Sequence, residues 1–303
     1  MVSRVSDRRR QITRIRERLI EGVMFVCAAS SVLVTLGIVG ILLIESWAFF
    51  EHVPLSIFLT DTMWTPLFSE PRYGILPLLT GTLVSTLVGL CVAAPLGMTV
   101  SIYLSEFASP GVREVVKPIL ELLSGVPTVV FGFFALLFVT PLLQATILPN
   151  LPGFNILSAG IVIGIMIIPY IASLSEDALR SVPNGLRDGS YALGATRFET
   201  AVRVVLPAAI SGVAAAFVLG VSRAVGETMV VAIAAGQQPN LTLDPTQPAA
   251  TITAYIVQVA LGDLPHGGIG YQSIFAAGLT LLLITLMFNI FAFWLRAKFR
   301  EAY

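Results

Sequence analysis

The chain has 303 residues, of which 56% are hydrophobic and 12% charged, with a mean hydropathy of +0.87 and a formal net charge of zero. A soluble domain carries about 25% charged residues, so this composition leaves too little polar surface for water and excludes an ordinary soluble enzyme. The two cysteines (Cys27, Cys91) lie inside apolar runs and read as packing residues, and the two histidines (His52, His266) lie between such runs. Neither a disulfide framework, a metal centre nor a histidine-based catalytic site fits that arrangement.

A bilayer-spanning helix needs about 20 mostly apolar residues, and six stretches qualify. The first, residues 22–44, is uncharged between Glu21 and Glu45. It exceeds the apolar core of a secretory signal, about 7–15 residues, and is therefore expected to be an uncleaved first helix. The second covers 76–104. The third and fourth lie within 122–175, split by a turn at Pro149, Asn150, Pro152 and Gly153. The fifth is expected as one helix over 204–236 and the sixth over 273–295. Between them, Ser105 to Glu121, opened by Pro110-Gly111, reads as an amphipathic elbow. The loops 45–73 and 237–272 have a composition that fits landing surfaces and plain connectors equally.

Lysine and arginine placement orients the helices. Arg4, Arg8, Arg9, Arg10, Arg14, Arg16 and Arg18 precede the first span. Arg113 and Lys117 follow the second, Arg180, Arg187, Arg197 and Arg203 follow the fourth, and Arg296, Lys298 and Arg300 follow the sixth. Sixteen of the 18 basic residues thus share one side, with Arg72 opposite and Arg223 inside the fifth span. The expectation is an all-α, six-span membrane protein with both termini in the cytoplasm.

The segment 176–207 reads EDALRSVPNGLRDGSYALGATRFETAVRVVLP. Pro183 suits a helix start, residues 184–193 can form a short helix, and Gly194 can end it in the left-handed conformation. Thr196 reads as an N-cap with Glu199 as its capping-box partner. Such a helix-turn-helix is a good shape for transmitting a push. The run Asp188-Gly189-Ser190, then Leu193-Gly194-Ala195, Phe198 and Leu206-Pro207 resembles the signature loop of ABC-importer permeases. This chain has Asp-Gly-Ser where that family favours Glu-Ala-Ala. The resemblance implies a type I importer permease architecture in which this loop docks on an ATPase subunit through Arg187, Asp188, Gly189, Ser190, Leu193, Gly194, Ala195 and Phe198.

Two further runs, Glu121-Leu122-Leu123-Ser124-Gly125-Val126-Pro127-Thr128-Val129-Val130-Phe131-Gly132 and Ser222-Arg223-Ala224-Val225-Gly226-Glu227-Thr228-Met229, resemble motifs of phosphate-importer permeases of the PstC type. The resemblance spans roughly Gly74 to Arg296. It divides the chain into a basic segment, first helix and external loop (1–73), a permease core with its coupling loop at about 176–203 (74–296), and a cytoplasmic tail (297–303).

Arg223 and Glu227 are the charges expected deep within an apolar segment, where an arginine costs about 2.5–3.5 kcal/mol even on insertion scales. Four residues apart, they can pair on one helix face. In one reading that face lines a translocation path, together with Ser124 and Thr128, and the arginine fork engages phosphate oxygens. In the other the two form a structural ion pair between subunits.

The chain has no G-x-x-x-x-G-K-[ST] loop, as neither Lys117 nor Lys298 follows glycine. The resemblance therefore implies that ATP and Mg²⁺ bind partner subunits, with no cofactor in this chain. It further implies a homologous permease (PstA type), an ATPase dimer (PstB type) and an external phosphate-binding protein (PstS type), in a bacterial or archaeal cytoplasmic membrane. No nucleic-acid partner is implied. Permeation of another oxyanion, molybdate or sulfate, remains open. An autonomous secondary transporter would need more intramembrane carboxylates, and a membrane enzyme would need a catalytic set.

Overall fold

The computed structural model describes residues 2–265 and 267–298. His266 and Arg300, and the side chains of Arg4, Arg8, Arg9, Arg10, Arg14 and Arg296, lie outside the described residues, as does most of the tail 297–303. The described residues are helical almost throughout, with two isolated bridges, Trp64 to Tyr73 and Gly236 to Ala249.

In chain order the helices are α1 (Val2–His52), α2 (Leu55–Thr60), α3 (Leu76–Phe107), α4 (Pro110–Ser124), α5 (Thr128–Thr146) and α6 (Ile156–Arg180). Then come α7 (Asn184–Ala192), α8 (Arg197–Ala208), α9 (Ile210–Val225), α10 (Met229–Ala234), α11 (Ile252–Gly262) and α12 (Ile269–Lys298). Five of these, α1, α3, α5, α6 and α12, are long and apolar enough to cross a membrane alone. The sixth span is α8 and α9 together, bent by 76° at Ala209.

The fifth span is thus not the continuous helix expected over 204–236. Pro207 lacks an N–H and α8 stops one residue later. The chain breaks again at 226–228 before resuming as α10. The four-residue spacing of Arg223 and Glu227 therefore does not lie on one helix, because Glu227 sits in the second break.

The core is the α3–α6 contact, made close by glycine. A methyl group placed at Gly160 would fall 2.6 Å from Val88 Cβ, and one at Gly164 would fall 2.7 Å from the Gly89 carbonyl oxygen. The small-residue spacing read from the sequence is therefore a packing device. Gly212 and Gly220 do the same for α9 against α6, facing Ala178 and Ile171. Thr82 and Ser85 return their hydroxyls to carbonyls of their own helix, at Leu78 and Thr82.

Two expectations need correction. Cys27 and Cys91 are not interior packing residues; both thiols are exposed on the chain's surface, where bilayer or a partner subunit supplies the apolar surroundings. Nor are the long loops plain connectors. Phe49, Phe58, Trp64, Tyr73 and Tyr255 form one buried cluster of edge-to-face rings. The cluster joins the end of α1 and the α2 loop to α11, so 45–73 and 252–264 cap one end of the bundle as a packed layer. The prolines and glycines flanking α11 hide its apolar face from a composition-based reading.

Candidate coupling surface and translocation path

The most exposed machinery is α7 and its turn. Pro183 precedes α7 and Leu193 follows it. Gly194 takes φ +84°, and the Gly194 N–H donates to Tyr191 O at 2.9 Å. Thr196 caps α8 through a complete capping box: its hydroxyl accepts from Glu199 N, and its N–H donates to Glu199 Oε2 at 2.9 Å. Because Gly and the capping box both end helices sharply, the turn projects outward as a rigid corner.

At that corner Leu193 is 92% exposed and Phe198 is largely exposed, and no other described residue covers Leu193. Asp188, Gly189 and Gly194 are exposed as well, and Ser190 and Ala195 half-exposed. Ser190 shares a hydrogen bond with Thr200 at 2.9 Å, tying α7 to α8. Arg187 faces the other way. Its guanidinium donates to both Glu106 carboxylate oxygens (3.2 and 2.8 Å) and to the carbonyls of Val182 (2.6 Å) and Leu179 (2.9 Å).

A second charged cluster sits beside it. Glu176, 0% exposed on α6, accepts from Arg113 Nε at 2.7 Å and Lys117 Nζ at 2.8 Å, both on α4, with Arg180 Nε at 3.7 Å. A buried carboxylate needs this many partners to offset its lost hydration. Lys117 also pairs with Asp177. Burial pushes the Lys117 ammonium down, but its hydrogen bonds to Asp177 and Glu176 outweigh that and hold it above the usual lysine value. α4 has no fully buried residue, so this ionic seam, with Leu123 packed against the core, docks the elbow. Sequence reading missed it because the partners lie about 60 positions apart, and only the acid at the end of an apolar run hinted at it.

The Arg223–Glu227 pair lies at the end of α9 away from the Ala209 bend. Arg223, in the last turn of α9, donates Nη1 to Glu227 Oε2 at 2.9 Å. Its side chain is 36% exposed, that of Glu227 only 2%. The other Glu227 oxygen accepts from Met229 N (3.2 Å) and Val230 N (3.3 Å), the first free N–H groups of α10. The Thr253 hydroxyl of α11 donates to the Glu227 carbonyl at 2.6 Å. Glu227 therefore closes the break between α9 and α10 while holding Arg223, whose side chain stays partly exposed. Irregular backbone of this kind is tolerated at membrane depth where protein satisfies it or water reaches it.

Ser124 and Thr128 flank a different break. Ser124 ends α4 with its hydroxyl on Glu121 O at 2.6 Å, and Thr128 opens α5; both are half-exposed. Among the described residues, no hydrogen bond joins either of them to Arg223. The residues between them, with Pro118, Glu121 and Leu122, line an open cavity of about 660 Å³. The described residues contain no group of three or more His, Cys, Asp or Glu side chains able to hold a metal ion.

Residues 94–301 match the family described as binding-protein-dependent transport system inner membrane component. The chain belongs to this family. Among similar proteins, this permease is 35% identical to the probable ABC transporter permease protein YqgH of Bacillus subtilis, over 97% of this chain and 94% of that protein. It is 33% identical to the phosphate transport system permease protein PstC of Mesorhizobium japonicum, over 86% of this chain and 84% of that protein. It is 29% identical to the probable PstC of Methanocaldococcus jannaschii, over 86% and 89%. Among solved structures, the permease resembles a chain of a bacterial alginate ABC transporter in complex with an alginate pentasaccharide-bound periplasmic protein (TM-score 0.62, 18% identity, 89% of this chain and 92% of that one). It also resembles a chain of the inward-facing MetNI methionine ABC transporter (TM-score 0.54, 18% identity, 75% and 95%). At such identities the two structures bear on the fold alone.

Proposed function

We propose that this chain is the membrane-spanning subunit of an ATP-driven phosphate importer, receiving phosphate from an external binding protein and passing it through a path shared with a homologous permease. The observation that carries this reading is the similarity to phosphate transport permeases over most of the chain's length. The partners are a PstA-type permease, a PstB-type ATPase pair that binds ATP and Mg²⁺, and a PstS-type binding protein. The location is a cytoplasmic membrane, with the basic end of the bundle and both termini facing the cytoplasm; the distribution of basic residues supports this orientation.

In this reading the exposed apolar corner at Leu193 and Phe198, with Asp188 and Gly189, is the ATPase-facing surface. ATPase closure pushes the corner and the helices alternate their access. Arg223 is the anion-binding group. Its fork is partly satisfied by Glu227, which aims it and keeps the anion site from becoming a trap; the phosphate competes for the N–H groups left accessible. Phosphate needs positive charge at a desolvated point, and the chain supplies one there at the expense of a single buried acid.

The complex, reconstituted with its ATPase and binding protein in vesicles, tests this. Phosphate is expected to stimulate ATP hydrolysis and to accumulate inside, with molybdate and sulfate inert. Arg223→Gln is expected to abolish uptake while the complex still assembles, and Arg223→Lys to recover only part of it. Stimulation by molybdate or sulfate in place of phosphate would reassign the substrate. Near-normal uptake by an assembled Arg223→Gln complex would reduce the pair to a structural one.

A further inference from the structure

From the coupling corner, chain connectivity leads to two spans: backward through 181–183 into α6, and forward through α8 into α9. The forward route turns sharply, because α8 meets α9 at 76° across Ala209. The structure adds a third route that connectivity does not provide. Glu106 lies 81 positions before Arg187, in the wide π-type turn Tyr103–Phe107 that ends α3, where Ala108 N donates to Tyr103 O at 2.8 Å. That turn carries the carboxylate to Arg187, which binds both its oxygens, and the pair is largely buried, with side chains 13% and 5% exposed. Ser105 adds a hydroxyl to Glu106 at 2.8 Å. Arg187 is meanwhile locked to its own element by the carbonyls of Val182 and Leu179. A two-pronged pair held at both ends against rotation resists displacement, whereas a single-point contact would pivot.

Resting on the permease reading above, we infer that Glu106–Arg187 is the strut through which motion of α7 reaches α3, and that Glu106 is a positioning residue for coupling. With α3 packed on α6 at the glycine contact and α4 fixed to α6 by Glu176, the strut makes α3, α4, α6 and α7 one body that moves as the corner is pushed. Arg187 spends its donors on this strut rather than on the ATPase.

The test uses the full complex in vesicles, with Glu106→Gln, Arg187→Met and the charge exchange Glu106→Arg with Arg187→Glu. Spin labels on Cys91 in α3 and on a cysteine replacing Gly22 in α1, in a Cys27→Ser background, report α3 movement without reference to the substrate. In the unsubstituted chain, ATP is expected to change the label distance. In Glu106→Gln the ATPase is expected to co-purify and hydrolyse ATP at its basal rate. The nucleotide-driven distance change should disappear, and uptake per ATP should fall about tenfold, within the usual span of allosteric coupling factors. Arg187→Met should likewise lose the nucleotide-driven distance change, and the exchange should restore part of both readouts. An unsubstituted distance change in Glu106→Gln, loss of ATPase co-purification in that variant, or an exchange that restores nothing would each overturn the strut. A complex that shows the distance change but takes up no phosphate would refute the substrate and leave the strut standing.

Discussion

Gly81 is a position where one added methyl group would run into the backbone of another segment. A Cβ there would lie 2.2 Å from the Ala250 carbonyl oxygen and 3.4 Å from Ala249 Cβ. Carbon–oxygen contacts are normally about 3.3 Å or longer, so Gly81→Ala must move α3 and the 249–252 segment apart by about 1 Å. Backbone, not a flexible side-chain tip, has to give way. That segment is pinned by Ala249 N to Ala235 O (3.0 Å), by Ile252 N to Thr82 Oγ1 (3.1 Å) and by Thr253 Oγ1 to the Glu227 carbonyl (2.6 Å). Overpacking alone costs about 1–3 kcal/mol. Leaving one of these buried groups unsatisfied adds about 1–3 kcal/mol, for a total of roughly 2–6 kcal/mol.

The assay is thermal unfolding of the purified complex, followed by size-exclusion chromatography, with phosphate uptake measured in parallel. Gly81→Ala is expected to unfold at clearly lower temperature and to lose uptake, because the displaced segment also carries the Thr253 contact to Glu227. Gly111→Ala in α4 is the control. Nothing lies within 4 Å of its Cβ position, so it should be neutral or gain up to about 1 kcal/mol from helix propensity. A Gly81→Ala complex as stable and active as the unsubstituted one would refute the claim that 249–252 is seated rigidly on α3.

Two other predictions follow from local geometry. Glu227→Ala is expected to destabilise the complex by about 2–3 kcal/mol, since two N–H groups of α10 and one guanidinium N–H lose their acceptor, and hydrogen exchange should rise at Met229 and Val230. Gly194→Ala should cost about 1–2 kcal/mol from backbone strain alone, since φ is +84° and no atom lies near its Cβ position. Its signature would be reduced co-purification of the ATPase, with Gly194→Asn milder because asparagine tolerates that conformation.

What the sequence makes legible here is what short-range chemistry determines. The end of α7 at Gly194 and the capping box at Thr196 each depend on residues within four positions, and both are present as read. The apolar runs locate the spans because the bilayer imposes their length. The break at 226–228 is a harder case: Gly-Glu-Thr flanked by valine, alanine and methionine keeps the hydropathy of a continuous helix, and only the tertiary partners of Glu227 reveal why the chain departs from it. The ionic seam of Glu176 and the Glu106–Arg187 pair join residues about 60 and 81 positions apart. No periodicity signals such pairs, although each acid sits where an apolar run ends. The buried aromatic cap was hidden by a loop-like composition, because Pro, Gly and Gln mark the turns between its parts.

The carboxylates share a physical logic. Glu106 occupies a π-type turn, Glu176 the final turns of α6, and Glu227 a gap between two helices. In the middle of an uninterrupted apolar helix a carboxylate finds no donors, because every backbone N–H is already committed. At an interruption Glu227 finds two N–H groups of α10, while near the ends of their helices Glu106 and Glu176 find cationic side chains of neighbouring elements. These settings lower the free-energy cost of burying negative charge, and Glu227 in turn satisfies groups that its break would orphan. Of the cations these acids hold within 3 Å, Arg113, Lys117 and Arg187 are committed to seams between helices, whereas Arg223 keeps more than a third of its side chain accessible. A cation already oriented by a buried acid, yet still open on one side, is where an incoming anion gains most from displacing water and disturbs least of the fold.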